Sequence, residues 1–245
     1  MTQRAEDQRE TRERVVVVGG SSGIGEATAA AFLRRNAEVT IVGRDPARLA
    51  AAKARLGDVR AVDVDGADAR GVARLFEGVG PHHHLVLALS GGKGAGPLAS
   101  LSLDDLRSGL EGKLFAQLTT LQAALPHVKA SVTLVSAISA RAAMPGTAGL
   151  AAINGAIEAM VRPLAAELAP LRVNAVSPGI IDTPWWDVMP ADAKESYFRR
   201  AAETLPARRV GAAADVAEAI VMIARNPYVT GTVLEVDGGA HLARG

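Results

Sequence analysis

Residues 19–25 form a glycine-rich stretch, Gly-Gly-Ser-Ser-Gly-Ile-Gly, that could bind a pyrophosphate group. It follows the apolar residues 15–18, which predict a buried strand, and it precedes a helical pattern that begins near Gly23. Glycines at such a junction let the backbone turn tightly and aim free N–H groups at phosphate oxygens. A strand-to-helix turn also favours glycine for steric reasons alone. The predicted ligands are Gly19, Gly20, Ser21, Ser22, Gly23, Ile24 and Gly25.

Few other residues have the type and spacing of a reactive or metal-binding site. The sequence contains no cysteine, which excludes disulfides, thiolate catalysis and cysteine metal ligands. The consecutive histidines His82, His83 and His84 are of a metal-ligating type, but they begin a predicted strand and no carboxylate partner is evident. We therefore predict no metal site.

Strand-like apolar runs alternate with amphipathic or alanine-rich helical patterns along the chain. This alternation predicts an α/β protein, a single-domain Rossmann fold with a doubly wound, seven-stranded parallel sheet. The expected strands are residues 15–18, 38–42, 59–62, 85–89, 132–135, 172–176 and 232–236. Ligands of such folds bind where the loops after the strands converge, and the glycine-rich stretch is one of these loops.

Length and composition agree with one domain. The chain has 245 residues, of which 49% are hydrophobic and 3% aromatic, and its formal net charge is +1. Because acids and bases are interspersed, we expect neither nucleic acid nor a membrane as a partner. No apolar run is long enough to span a bilayer, and residues 1–13 are too charged for a signal peptide. We predict a cytoplasmic protein with a disordered tail at residues 1–13 and one domain at residues 14–245.

The stretch from Pro178 to Pro206 differs in composition from the rest of the chain. It contains four prolines and both tryptophans, Trp185 and Trp186, in a sequence that is otherwise poor in aromatic residues. This composition favours a lid over the ligand site at about residues 183–207, and an ordinary packed connection is the alternative.

Several motifs, spread from Arg14 to Gly239, resemble those of the short-chain dehydrogenase/reductase family. They are the glycine motif within residues 19–25, the Asp63-Val64 pair, the segment 172–179 with Ile181 and Thr183 after it, and the terminal segment 231–239. Their order and spacing make the resemblance specific. It implies an oxidoreductase with a nicotinamide dinucleotide cofactor and a small-molecule substrate. It also implies a homodimer or homotetramer, built from the long helices expected at residues 103–125 and 149–168.

The resemblance also implies which residues contact the cofactor. Asp63 should accept a hydrogen bond from the adenine, with Val64 lining its pocket, although Asp63 could instead be a turn former after a strand. The loop at residues 90–97, which begins with Ser90 and Gly91, should lie beside the cofactor. The nicotinamide carboxamide should be held by Pro178, Gly179, Ile181 and Thr183.

The choice between NAD and NADP depends on the residue that follows the second strand. NAD enzymes favour an acid there, which accepts a hydrogen bond from the ribose 2′-hydroxyl. This chain has Arg44, whose fork of donors suits a 2′-phosphate, with Ser21 and Ser22 available for further hydrogen bonds. We therefore predict NADP(H). The alternative is that Arg44 is a solvated surface charge beside Asp45.

The positions that carry catalysis in the family hold other residues in this chain. The family uses a tyrosine as acid and base, a lysine that lowers the pKa of the tyrosine, a serine and an asparagine. Alignment on the segment 172–175 places Leu150 at the tyrosine and Asn154 at the lysine. Lys113 falls at the asparagine, and Ala137 at the serine, with Ser136 and Ser139 close by.

Lysine and asparagine have thus exchanged places, because Lys113 stands where the family has asparagine and Asn154 where it has lysine. Both helices face one crevice in the family fold, so the Lys113 ammonium could reach the space near Asn154 and bind ribose or a substrate oxygen, or donate a proton. We name Lys113, Ser136 and Asn154 as the candidate catalytic residues. The alternative is a lysine on a polar helix face and an inert asparagine.

Three functions remain open from the sequence. The first is an NADP(H)-dependent oxidoreductase that exchanges hydride with a carbonyl or alcohol through an atypical proton donor. The second is an NADP(H)-binding protein without turnover, which acts as a sensor or as the silent partner of an active relative. The third is a cyclase or lyase that keeps the pocket without redox chemistry.

Overall fold

The computed structural model describes residues 12–242. Seven parallel strands form one sheet in the order β3-β2-β1-β4-β5-β6-β9, which confirms the predicted single-domain Rossmann fold and its doubly wound parallel sheet. The strands are β1 Arg14–Val18, β2 Glu38–Gly43, β3 Val59–Asp63, β4 His82–Leu87, β5 Val128–Val135, β6 Arg172–Pro178 and β9 Val233–Val236. Two short strands, β7 Ile181–Asp182 and β8 Gly211–Ala212, pair separately.

Helices connect the strands and cover both faces of the sheet. They are α1 Gly23–Leu33, α2 Pro46–Leu56, α3 Ala69–Val79, α4 Leu103–Gly109, α5 Ala116–Ala124, α6 Ala148–Glu167, α7 Ala191–Thr204 and α8 Ala213–Arg225. A π-helical turn, Leu110–Phe115, joins α4 to α5 without a break. The two long helices expected near residues 103–125 and 149–168 are therefore present, whereas self-association through them stays a prediction. No helix within residues 12–242 is both long and apolar enough to cross a lipid bilayer.

Strand β1 shows why its sequence is apolar at every position. Val15 and Val17 pack into the hydrophobic cluster that contains helices α1 and α8, whereas Val16 and Val18 pack into the cluster with α3 and α6. Side chains alternate between the faces of a strand, and a central parallel strand is covered on both. The carboxyl end of β1, where the glycine-rich stretch begins, is thus fixed by burial on both sides of the sheet.

Strands β4 and β5 begin earlier than the apolar pattern indicated. The expected starts were residues 85 and 132, but β4 begins at His82 and β5 at Val128. Histidines break an apolar pattern, yet His84 is buried. Its Nδ1 lies 2.7 Å from the Ser131 hydroxyl, and this hydrogen bond compensates for the loss of water. Its Nε2 lies 2.7 Å from a carboxylate oxygen of Glu13. Glu13 is therefore a hydrogen-bond partner of His84 that the sequence did not indicate.

Most of the tail predicted at residues 1–13 lies outside the described residues. Arg12 and Glu13 lie inside them and contact the domain. Arg12 donates to the carbonyl oxygens of Asn36 and Ala37, and Glu13 forms an ion pair with Arg225 at 3.4 Å. These contacts attach residues 12 and 13 to the domain.

His82 is expected to make the protein less stable in acid. Its ring is 1% exposed and stacks on Phe76, and burial lowers its pKa from 6.5 to about 4. Between pH 6.5 and 4 this histidine is protonated in the unfolded chain but not in the folded one. The free energy of unfolding is therefore highest at neutral pH and declines as the pH falls toward 4. We expect a loss on the order of 3 kcal/mol.

Urea unfolding at neutral and at acid pH measures this loss. The His82→Leu variant should lose less stability on acidification than the unmodified protein, because the titrating ring is gone. His83→Leu is the matched control, since His83 is exposed on the same strand. Equal acid sensitivity of His82→Leu and the unmodified protein would contradict the prediction.

Candidate active site

Two adjoining cavities lie at the carboxyl ends of the sheet strands, where the crevice was predicted. The larger has a volume of about 580 Å³ and the smaller about 340 Å³. Both are lined by the loop after β1 and the loop after β4, through Gly19, Ser22, Ala88, Leu89 and Ser90. The two cavities therefore form one continuous groove across the glycine-rich stretch.

The glycine-rich stretch leaves no room for side chains. A Cβ on Gly25 would lie 2.1 Å from the Gly19 carbonyl oxygen, and a Cβ on Gly19, whose φ is +86°, would lie 2.4 Å from the Ala88 oxygen. Ser22 precedes helix α1, but its side chain makes no capping hydrogen bond. The helix N-terminus therefore keeps N–H groups for an anion. A backbone cradle of this kind fits a pyrophosphate.

The structure brings most of the predicted cofactor residues to the groove. Those that line the larger cavity are Gly19, Ser22, Gly23, Ile24, Gly25, Ser90, Gly91, Pro178, Gly179, Ile181 and Thr183. Those that line the smaller cavity are Gly19, Ser21, Ser22, Arg44, Val64 and Ser90. Gly20 and Asp63 line neither, because Gly20 packs against Ile41 and Asp63 is exposed at the end of β3. Their contact with a cofactor stays a prediction.

Arg44 lies at the smaller cavity with its charge unpaired. Its neighbour Arg48 forms an ion pair with Asp45 at 3.6 Å, and Asp45 also caps helix α2. Within residues 12–242, Arg44 has no ion pair and no side-chain hydrogen bond. Its exposed guanidinium can therefore form hydrogen bonds to an anionic group in the cavity, with Ser21 on the same wall.

Lys113 and Asn154 meet in the larger cavity. Lys113 lies in the π-helical turn between α4 and α5, and its Nζ donates to Asn154 Oδ1 at 2.7 Å and to the Ser136 carbonyl oxygen at 3.1 Å. π-Helical turns often occur at functional sites, since the wider turn redirects a side chain. An ammonium has three N–H donors, so one remains for a ligand in the cavity.

Asn154 is held in place by three hydrogen bonds. Its Nδ2 donates to the Ser139 hydroxyl at 3.0 Å and to the Leu150 carbonyl oxygen at 2.9 Å, while its Oδ1 accepts from Lys113. The side chain is 3% exposed. A fully bonded, buried amide cannot reorient without leaving a partner unpaired, so Asn154 fixes the position of the Lys113 ammonium.

Ser136 does not present its hydroxyl to this pair. The hydroxyl donates to Glu158 Oε1 at 2.8 Å, and only the backbone carbonyl of Ser136 contacts Lys113. The Ser139 hydroxyl contacts Asn154 instead. Of the two serines, Ser139 is therefore the one whose hydroxyl contacts Asn154, whereas Ser136 contacts Lys113 through its carbonyl oxygen and its catalytic role stays a prediction.

The environment of Lys113 changes its acidity. Burial lowers its pKa from 10.5 to about 8, because the charged form loses hydration, and the negative charge of Glu158 partly opposes this shift. The group is still an ammonium at neutral pH. A proton donor with a pKa near the working pH is well suited to general acid catalysis.

Glu158 and Arg141 were not predicted. Glu158 accepts from Arg141 at 2.7 Å, and Arg141 also pairs with Glu235. One signal was present in the sequence, since Glu158 follows Asn154 by four residues on α6 and so shares its helix face. The Arg141 contact depends on the loop after β5, which sequence reasoning could not position.

Aromatic and apolar side chains form the outer wall of the larger cavity. Segment 183–207, the predicted lid, supplies Trp185, Trp186, Met189 and Tyr197 to its lining, and Leu150 lies on the α6 side. The ring centroids of Trp185 and Trp186 are 4.7 Å apart, and those of Trp186 and Tyr197 are 5.1 Å apart. The segment therefore borders the cavity, while opening and closing of a lid stays a prediction.

Comparison with known proteins gives consistent matches. Residues 18–241 match a family model described as enoyl-(acyl carrier protein) reductase. A granaticin polyketide synthase putative ketoacyl reductase 2 from Streptomyces violaceoruber is 34% identical over 93% of this chain and 95% of its own.

Two solved structures match over nearly the whole chain. A small-chain dehydrogenase in complex with NADPH has a TM-score of 0.84 and 33% identity, over 95% of this chain and 100% of that one. The MalC reductase/Diels-Alderase from Malbranchea aurantiaca has a TM-score of 0.86 and 28% identity, over 98% of this chain and 100% of that one. Both similarities extend across the groove and the segment beside it.

Proposed function

Because the chain belongs to the short-chain dehydrogenase/reductase family, we propose that it is an NADP(H)-dependent oxidoreductase that acts on a carbonyl or alcohol substrate through an atypical site. The observation that carries this proposal is the Lys113 ammonium, which is held by neutral acceptors in the cavity that the glycine-rich stretch also lines. A cation at that place can act on a substrate oxygen, which is the role that a tyrosine at another position has in the family.

The groove supplies the groups that would hold the cofactor. Backbone N–H groups of residues 19–25 would bind the pyrophosphate, and Arg44 would bind the 2′-phosphate from the smaller cavity. Residues Ile181 and Thr183 would hold the nicotinamide in the larger cavity. The similar dehydrogenase that was solved with NADPH supports this choice of cofactor. When bound, NADPH supplies the hydride that reduces the carbonyl carbon.

The side chains of this protein supply the proton and the alignment. Lys113 would hold the carbonyl oxygen through its remaining N–H and give that oxygen a proton, after which solvent would restore the ammonium. Asn154 and the Ser136 carbonyl fix Nζ in position, and Ser139 supports Asn154. Leu150 and the aromatic wall would exclude water from the reacting oxygen.

Consumption of NADPH tests the proposal. The purified protein would be assayed against a panel of ketones that includes 3-oxoacyl thioesters, because a similar protein is named a ketoacyl reductase. We expect NADPH oxidation with at least one class of ketone and formation of the matching alcohol. If no ketone consumes NADPH although the nucleotide binds, the oxidoreductase proposal is wrong.

Arg44→Ala is expected to weaken NADPH binding by about 10-fold to 100-fold, since a charged hydrogen-bonding partner of the 2′-phosphate is lost. NADH lacks that phosphate, so its affinity should change little. Isothermal titration calorimetry with both nucleotides gives the two constants. Arg74→Ala, which removes an exposed arginine from α3, is the matched control and should leave both unchanged. Equal losses of affinity for NADPH and NADH would show that Arg44 does not bind the 2′-phosphate.

A non-redox function is the second candidate, and it is favoured by the Leu150 side chain, which cannot act as an acid. The similar MalC protein is named a reductase and also a Diels-Alderase, so one such fold is associated with both chemistries. Tight nucleotide binding together with conversion of a substrate at constant NADPH would support this alternative. Binding without conversion of any substrate would support a sensor or silent partner.

A further inference from the structure

The charged side chains that line the larger cavity are positive. Lys93 and Lys113 are its charged lining residues, and no carboxylate lines it among residues 12–242. Lys93 is neutralised by Asp105 at 2.7 Å. Lys113 is different, because its two acceptors are an amide oxygen and a backbone carbonyl, both uncharged. Glu158 does not line the cavity and pairs with Arg141, although its charge still partly opposes the lowering of the Lys113 pKa by burial. Lys113 is therefore the lining cation whose hydrogen bonds, within residues 12–242, go to neutral acceptors.

The wall of the cavity that segment 183–207 forms is rich in aromatic residues, although the whole sequence is poor in them. The chain has two tryptophans, two tyrosines and four phenylalanines, and both tryptophans and Tyr197 line this one cavity. Trp186 is fixed by a hydrogen bond of 2.9 Å from its Nε1 to the Ile181 carbonyl oxygen. Trp185 is 40% exposed, which leaves its ring free for a ligand. Rigid aromatic faces of this kind suit flat, apolar ring systems.

These two walls together select a ligand that is apolar over most of its surface and negatively charged at one oxygen. We propose that the substrate is a ring-containing ketone whose carbonyl oxygen shares the negative charge of an ionised enol or phenol group conjugated to it, and that Lys113 holds this carbonyl oxygen while Trp185 and Trp186 contact the ring. This inference rests on the proposed function, because it assigns the substrate of the same site. A partly buried ammonium whose hydrogen-bond acceptors are neutral stabilises such an anion more than it stabilises a neutral ketone.

Binding of a matched pair of probes tests the inference without any turnover. An acetyl-naphthol that ionises in conjugation with its ketone would be compared with its methyl ether, which has nearly the same shape and cannot ionise. Both are titrated into the NADP(H)-saturated protein, and the absorbance of the phenolate reports the charge state of the bound naphthol. We expect the naphthol to bind as the anion and at least about tenfold more tightly than the ether.

Variants test the contributions of Lys113 and of the aromatic wall separately. In Lys113→Met the preference for the naphthol over the ether should disappear. Lys129→Met should retain it, because this exposed lysine lies outside the cavity and bonds to the Pro126 carbonyl. Trp185→Ala should weaken both probes by a similar factor. Equal affinity of the two probes for the unmodified protein, or a preference that persists in Lys113→Met, would overturn the inference. Unchanged affinities in Trp185→Ala would overturn its aromatic part.

Failure of this inference can be told apart from failure of the proposed function. NADPH oxidation by neutral ketones, without a preference for the naphthol, leaves the oxidoreductase standing and removes the anionic substrate. Anionic binding of the naphthol, with no NADPH consumption by any ketone, keeps the binding assignment and removes the reductase. Each result follows from a separate readout, absorbance of the probe in one case and oxidation of the nucleotide in the other.

Discussion

Lys113→Met is expected to lower the turnover number for NADPH-dependent ketone reduction by about 10²-fold to 10⁴-fold, the usual contribution of a general acid. Methionine keeps the unbranched apolar stem but has no ammonium to bind or protonate the substrate oxygen. NADPH affinity should change much less, because Arg44 and the glycine-rich stretch remain. Steady-state kinetics and calorimetry on the same preparation separate the two effects. A variant with undiminished turnover would exclude Lys113 from catalysis.

The pH profile gives a second readout of the same residue. Lys113 must carry its proton to act, and burial lowers its pKa to about 8, so activity should be high at neutral pH and fall as the pH rises through 8. Lys113→Arg keeps a positive charge at all of these pH values. Its residual activity should therefore lack the alkaline decline. An unchanged decline in Lys113→Arg would assign the titration to another group.

Asn154→Lys is expected to destabilise the protein by about 3 kcal/mol or more, because it places a second ammonium against a buried one. The amide oxygen that now accepts from Lys113 at 2.7 Å would be replaced by a donor of the same charge. The hydrogen bonds from Asn154 to Ser139 and Leu150 would be lost as well. Urea unfolding at neutral pH measures the effect.

The double exchange Lys113→Asn with Asn154→Lys should recover a large part of that stability. It restores a contact between one lysine and one amide, with the lysine now on α6 and the amide on the π-helical turn. We expect a coupling free energy on the order of 2 kcal/mol in the double-mutant cycle. Strictly additive effects of the two substitutions would mean that the exchanged residues do not act as a pair. Exposed controls are unnecessary here, because each single variant serves as the reference for the other.

The sequence was sufficient to predict the sheet because its strands are apolar on both faces. The run Val15 to Val18 could be interpreted without tertiary information, since a central parallel strand is buried on each side. The starts of β4 and β5 could not be predicted without tertiary information. Strand β4 begins with three histidines and β5 with Val-Lys-Ala-Ser, and the burial of their polar residues depends on contacts between distant positions, such as His84 with Ser131 and with Glu13.

The site was predictable where backbone geometry dictates the residue type. Gly19 and Gly25 are required by close contacts within the loop, so a glycine pattern in the sequence locates the groove. Side-chain direction is a different matter. Ser136 and Ser139 are equally polar neighbours of the expected serine position, and only the turn after β5 decides that the Ser139 hydroxyl is directed to Asn154 and that of Ser136 to Glu158.

The contact of Lys113 with Asn154 could be predicted only in part. The sequence shows both residues and their exchange relative to the family, but their distance depends on the π-helical turn at Leu110–Phe115. The sequence of this turn, Leu-Glu-Gly-Lys-Leu-Phe, has no pattern that distinguishes a π-helical turn from an α-helix that contains a glycine. The pairing was therefore a hypothesis from the sequence and is a contact in the structure, whereas its catalytic role stays a proposal.

The location of both tryptophans in one cavity makes the protein its own optical sensor. With no other tryptophan in the chain, the intrinsic emission of the protein comes chiefly from Trp185 and Trp186 beside the groove. Any ligand that enters the larger cavity should quench that emission or receive energy from it, with little background from the rest of the fold. Occupancy can therefore be followed without a label, and an unknown substrate can be sought by its effect on light before any reaction has been found.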